Sequence, residues 1–211
     1  MDFASKIHTD YEKIYEETLK WINEFKLHTG DVQKMYKREN ITKLTCMVYP
    51  DGDYERTLLM NKWMMHVYAL DDAIEGNVRC PFFDMLLNHG SENKDVISLL
   101  DKSFEDKETP LVTSFAHIWK QLKSFSNKTW QQRFAENFIW SLKTNDWENK
   151  NVEMKRVPSL GEYLEYRHFL TGVDVLFNLI EIARNISIPD SVVANVTFQR
   201  FTYLTGNIAA L

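Results

Sequence analysis

The chain has 211 residues, 44% of them hydrophobic and 13% aromatic, with a formal net charge of −5. That length suits one sizeable globular domain, and the charge offers no basic face to nucleic acid. No run reaches the ~18 apolar residues of a membrane span, and two cysteines, Cys46 and Cys80, make no disulfide framework and fit a reducing cytosol.

From Met1 to Glu17 the chain is polar, with no secretory h-region, so a cytoplasmic protein is expected. The four sequons, at Asn40, Asn127, Asn185 and Asn195, then read as chance matches. Asp10 to Phe25 repeats Ile14, Leu19, Trp21, Ile22 and Phe25 among Lys and Glu, the pattern of an amphipathic helix. Pro50-Asp51-Gly52-Asp53 is a turn, and Asp53 is placed to cap the helix after it. Gly90 to Lys107 is the most polar stretch. Thr109-Pro110 reads as an N-cap with Pro at N1, opening a helix through Phe125. Thr129 is the expected cap of the next helix, which carries Trp130, Phe134, Phe138 and Trp140, and Asn149 to Val157 reads as a surface loop. Ser159-Leu160-Gly161-Glu162 is a capping box whose helix runs to an interruption at Thr171-Gly172. Asp190 is the expected cap of a last helix, still running at Asn207 to Leu211 without a stop signal. No segment alternates with period two. The reading is an all-α, single-domain antiparallel helical bundle over residues 1–211, incomplete at the C-terminus.

The long run Trp63 to Gly76 ends in Asp71, Asp72 and Glu75. Acids at a helix C-terminus face the negative end of the macrodipole, each unfavourable by roughly 0.3–1 kcal/mol. At spacings of three and four they also crowd one another. Such a cluster invites a cation, and hard oxygen ligands suit Mg²⁺, which takes one or two carboxylates plus substrate phosphates. The alternative is a solvated acidic patch balanced by Arg79 or by lysines. Met64, Val67 and Tyr68 precede Asp71 on its own face, an apolar wall suited to a ligand with a charged head and a hydrocarbon tail. Arg167 is a phosphate-binding candidate, since its planar fork matches phosphate oxygens; the alternative is a surface pair with Glu162 or Glu165. His66 and His168 have no second His or Cys at zinc spacing and read as ordinary helix residues.

In this order, Tyr11 to Leu27, Met47 to Asp53 with Asn61-Lys62-Trp63, Leu70 to Glu75, Trp147-Glu148, Val157 to Arg167, and Thr171-Gly172 resemble the microbial class I terpene synthases (terpene cyclases) over nearly the whole chain. The resemblance implies Mg²⁺, with Mn²⁺ as an alternative, held by Asp71 as principal bridge with Asp72 and Glu75. Arg167 would sense the diphosphate, with His168 its neighbour if the register is off by one. Thr171 would take the linker position, where several relatives carry an acid, and Gly172 the helix break whose carbonyl faces the leaving group. Met64 and Tyr68 would line the substrate. The family's second metal motif, an Asn/Asp-Ser/Thr-Glu triad, is absent: Phe201 to Leu211 resembles only its lead-in.

The expected function, in full-length context, is ionisation and cyclisation of a prenyl diphosphate, by family habit farnesyl diphosphate, with release of diphosphate. Two alternatives stand beside it. One is a truncated, non-catalytic helical protein that binds prenyl diphosphate or a partner chain; a homodimer is compatible. The other is a prenyl diphosphate synthase, although an Arg-Arg pair typically follows the first motif there and Gly76-Asn77-Val78-Arg79 stands here.

Overall fold

The computed structural model describes residues 6–27, 40–76, 78, 80–89 and 95–210, and every described element is helical. In chain order these are α1 (Tyr11–Phe25), α2 (Ile41–Val48), α3 (Tyr54–Glu75), α4 (Pro81–Leu87), α5 (Val96–Asp101), a 3₁₀ turn (Lys102–Phe104), α6 (Pro110–Ser124), α7 (Lys128–Glu153), α8 (Leu160–Leu170), α9 (Val173–Arg184), α10 (Asp190–Val193) and α11 (Val196–Ala210). The all-α expectation is met, with no strand among the described residues.

The chain forms two compact units. Unit 1 comprises Met1–Ala73, Asp101–Phe125 and Ile182–Ile186; unit 2 comprises Ile74–Leu100, Ser126–Glu181 and Ser187–Leu211.

In unit 1, α1 packs on α2 and α6. The face of α1 that is buried carries Ile14, Thr18, Trp21 and Ile22; Leu19, expected inside, is only half-buried and Thr18 takes the inner place. The reason is polar pairing. Asn61 on α3 donates its amide to the Thr18 hydroxyl at 2.8 Å and to the Thr42 hydroxyl at 2.9 Å, tying α3 to α1 and α2 through a bonded polar cluster. Trp63, Met65, Phe115, Ile118 and Trp119 are buried in the same unit. The turn at residues 50–53 forms as read, and Asp53 Oδ1 accepts the N–H groups of Glu55 (3.0 Å) and Arg56 (3.3 Å), the expected cap of α3.

Other caps differ from the reading. Thr109 stands at the N-cap of α6, but its hydroxyl donates to Asp106 Oδ2 at 2.7 Å instead of receiving the helix N–H groups. Asn127, not Thr129, caps α7: its backbone is extended and its Oδ1 accepts Trp130 N–H at 2.9 Å. The segment Asn149 to Val157 is helical as far as Glu153, so the surface connection is shorter than expected. Within the polar stretch Gly90 to Lys107, Val96 to Asp101 form α5, while residues 90–94 lie outside the described residues. The last helix is two: Asp190–Val193 is a single turn with Pro189 at its N-cap, and Asn195 caps α11 by accepting Thr197 N–H at 2.9 Å. Leu211 lies outside the described residues.

In unit 2, α7 packs on α4 and α8, and α11 packs on α8 and α10. Trp130, Phe134 and Phe138 stack along α7, centroids 5.0 and 6.4 Å apart, in the core; Trp140 is half out and stacks on Phe169 of α8 at 5.6 Å. A Cβ at the buried Gly206 would stand 3.0 Å from Val173 Cγ1, so glycine lets α11 seat closely against the start of α9. Cys46 and Cys80 are both buried thiols.

Candidate functional site

In unit 1, α3 presents two different sides. Trp63, Met65, His66, Ala69 and Leu70 are buried, whereas Met64 and Val67 are half-buried, Tyr68 is 36% exposed, and Asp71 and Asp72 are exposed. Partly open apolar side chains therefore lead down the helix to two accessible carboxylates in its last turns, and Glu75 closes the helix. The buried side holds this end in place. His66 Nδ1 lies 3.1 Å from Ser114 Oγ on α6, and full burial pushes the imidazole pKa down to about 3, so His66 is a neutral core residue. Among the described residues no group of three His, Cys, Asp or Glu is gathered as a metal site. Arg79, the balancing charge considered for the cluster, lies outside the described residues.

In unit 2, Ser159 caps α8 by accepting Glu162 N–H at 3.2 Å, half of the expected box. The Glu162 carboxylate does not reach back to close it. It takes two bonds from the Arg156 guanidinium (2.5 and 2.9 Å) and one from Trp147 Nε1 (3.2 Å), contacts that hold its pKa below the usual carboxylate value. The pairing considered for Arg167 with Glu162 is thus taken up by Arg156. Arg167 itself is half-buried, its guanidinium 5.8 Å from the Tyr163 ring one turn earlier.

The interruption after α8 is where it was expected. Gly172 has φ of +64°, while a Cβ there would meet only Ser141 Oγ at 3.7 Å, so backbone conformation and not space requires glycine. The Thr171 hydroxyl donates to the carbonyls of Arg167 (3.3 Å) and His168 (3.0 Å), and the Gly172 carbonyl accepts Leu176 N–H at 3.1 Å. The break is therefore well bonded rather than open.

Sequence reasoning treated His168 mainly as a helix residue and missed its neighbour Asp174. The buried His168 ring lies 3.8 Å from Phe169, edge-on to Tyr203 of α11 at 5.2 Å, with Nε2 3.7 Å from Asp174 Oδ2. Burial raises the Asp174 pKa against the pull of His168 and lowers that of His168 against the pull of Asp174. Both line a cavity of about 680 Å³ between α7, α8, α9 and α11. The sequence signal was present but weak: an acid two residues beyond a helix-interrupting glycine.

Asp71 and Asp72 belong to unit 1, and Arg167, Thr171 and Gly172 to unit 2. Each group stands where its helix places it.

The profile of the family described as terpene synthase family 2, C-terminal metal binding, matches residues 62–211. Pristinol synthase of Streptomyces pristinaespiralis is 23% identical over 98% of this chain and 56% of its own length. (+)-T-muurolol synthase of Roseiflexus castenholzii is 24% identical over 89% of this chain and 57% of its own. The chain thus spans somewhat over half the length of these curated relatives. Among solved structures, a single-residue variant of SVS_A2, a protein from ancestral sequence reconstruction, superposes with a TM-score of 0.83 at 21% identity, covering 98% of this chain and 62% of that one. That likeness carries the fold, the all-α class I terpene synthase fold. No described helix is long and apolar enough to cross a membrane. With the match extending over most of its length, from the middle of α3 to the last residue, the chain belongs to terpene synthase family 2.

Proposed function

We propose that this protein, in its full-length context, ionises and cyclises a prenyl diphosphate with release of diphosphate, using Mg²⁺. One observation carries the reading: the half-open apolar stripe of Met64, Val67 and Tyr68 that ends on the exposed Asp71 and Asp72. Two adjacent hard-oxygen donors suit Mg²⁺, which completes its shell with waters and phosphate oxygens rather than a full protein cage. Asp71, Asp72 and Glu75 would hold the ion, which supplies neutralisation of charge on the departing diphosphate. Arg167 offers a planar cationic fork to the diphosphate oxygens. Thr171 and Gly172 set the direction of α8 and α9 at the break, and Met64 and Tyr68 cover the hydrocarbon from water. Farnesyl diphosphate is the favoured substrate, since the (+)-T-muurolol synthase relative is described as cyclising it.

The other reading is a binder of prenyl diphosphate without turnover. Incubation with farnesyl diphosphate and Mg²⁺, read by gas chromatography and mass spectrometry, separates the two. Cyclic products that vanish in Asp71→Asn support the enzyme. Mg²⁺-dependent binding without product supports the binder, and neither product nor binding refutes both.

A further inference from the structure

The cavity in unit 2 is of a size typical of small-molecule sites, about 300–1,000 Å³. Rings of Phe169, Phe177, Phe198 and Tyr203 form much of its wall. Its charged groups are not equivalent. Arg133 is paired with Glu181, whose Oε2 also accepts Ile188 N–H at 2.9 Å, so that pair is satisfied. Asp174 is not: its Oδ2 is buried and has no hydrogen bond, and His168 Nε2, at 3.7 Å, is beyond hydrogen-bond reach. His168 Nδ1 is likewise buried without a hydrogen bond. Desolvation opposes charge on the imidazole, which weakens His168 as a cationic partner for Asp174.

We propose that this cavity binds an organic amine, its ammonium group on Asp174 and its hydrocarbon body among the rings of Phe177, Phe198 and Tyr203. An ammonium supplies the donor that Oδ2 lacks, and a carboxylate oxygen shut away from water is disfavoured until it is paired. The aromatic faces add attraction for a desolvated cation. An anionic ligand meets two carboxylates against one guanidinium, and a neutral hydrocarbon leaves Oδ2 unbonded. This goes beyond the synthase reading: neither Asp71 nor a diphosphate takes part.

The test is calorimetric titration of the 211-residue chain with 4-phenylbutylamine and with its neutral counterpart, 4-phenylbutan-1-ol. The amine is expected to bind at least tenfold more tightly than the alcohol. Asp174→Asn should bring the amine down to the level of the alcohol. Thr202→Trp, which fills the cavity from α11, should abolish binding of both. Should Asp174→Asn fail to fold by circular dichroism, the amine-to-alcohol ratio and the Thr202→Trp arm still decide. Equal affinity for the two probes, undiminished amine binding in a folded Asp174→Asn, or no binding of either probe overturns the proposal.

Discussion

Replacing Gly172 by alanine isolates one physical term. The residue has φ of +64°, and an added Cβ would find only Ser141 Oγ at 3.7 Å, an ordinary contact. Steric clash is therefore absent, and the cost is that of forcing an L-residue into the left-handed region, about 1–2 kcal/mol. For a chain of this length each kcal/mol moves the melting midpoint by about 2–4 °C, so Gly172→Ala should lower it by about 2–8 °C. Gly161 provides the internal control. It lies in the first turn of α8 with nothing within 4 Å of a built Cβ and no positive φ. Alanine there restricts the unfolded chain without straining the folded one, and should stabilise by about 0.4–1 kcal/mol. Thermal unfolding followed by circular dichroism at 222 nm reads both variants on one scale. Opposite signs are required. A neutral or stabilising Gly172→Ala would refute the left-handed break and, with it, the direction in which α9 leaves α8.

The caps make a second comparison: Asn127→Ala should cost about 1 kcal/mol, because Trp130 N–H loses its acceptor, whereas Thr129→Ala should change stability by only a few tenths. Denaturant midpoints measure both, and equal losses would return the cap to Thr129. His66 predicts a pH dependence. Its folded pKa, about 3, lies below the ordinary value of 6.5, so the unfolded state binds the extra proton between those limits. The stability that neutral His66 contributes is full above pH 6.5 and is lost as pH falls, by about 1.4 kcal/mol per pH unit at most. Urea unfolding at pH 7 and pH 5 should show that slope, and His66→Asn should flatten it; an unchanged slope in the variant would assign the acid sensitivity to other groups.

The division between what could be read and what could not follows the range of each interaction. Asp53, Ser159 and Gly172 were legible because each acts on backbone within four residues, where a propensity has direct physical meaning. Thr109 and Thr129 misled because a competing carboxylate or amide stood two or three residues earlier, and the extended backbone at Asn127 settled the choice. Glu162 looked like half of a capping box until Arg156, six residues back, claimed its carboxylate.

The helical class, helices α1, α3, α6, α7 and α8, the break before α9 and the carboxylates closing α3 were determined by the sequence itself, since periodicity, caps and a positive-φ glycine are local properties. Tertiary structure alone decided which polar groups would be buried and with whom. Asn61 meets Thr42 across 19 residues and Thr18 across 43, and His66 meets Ser114 across 48. Burial removes the water that would satisfy these groups, so each must find its partner on whichever segment folds against it, and no local pattern records that choice.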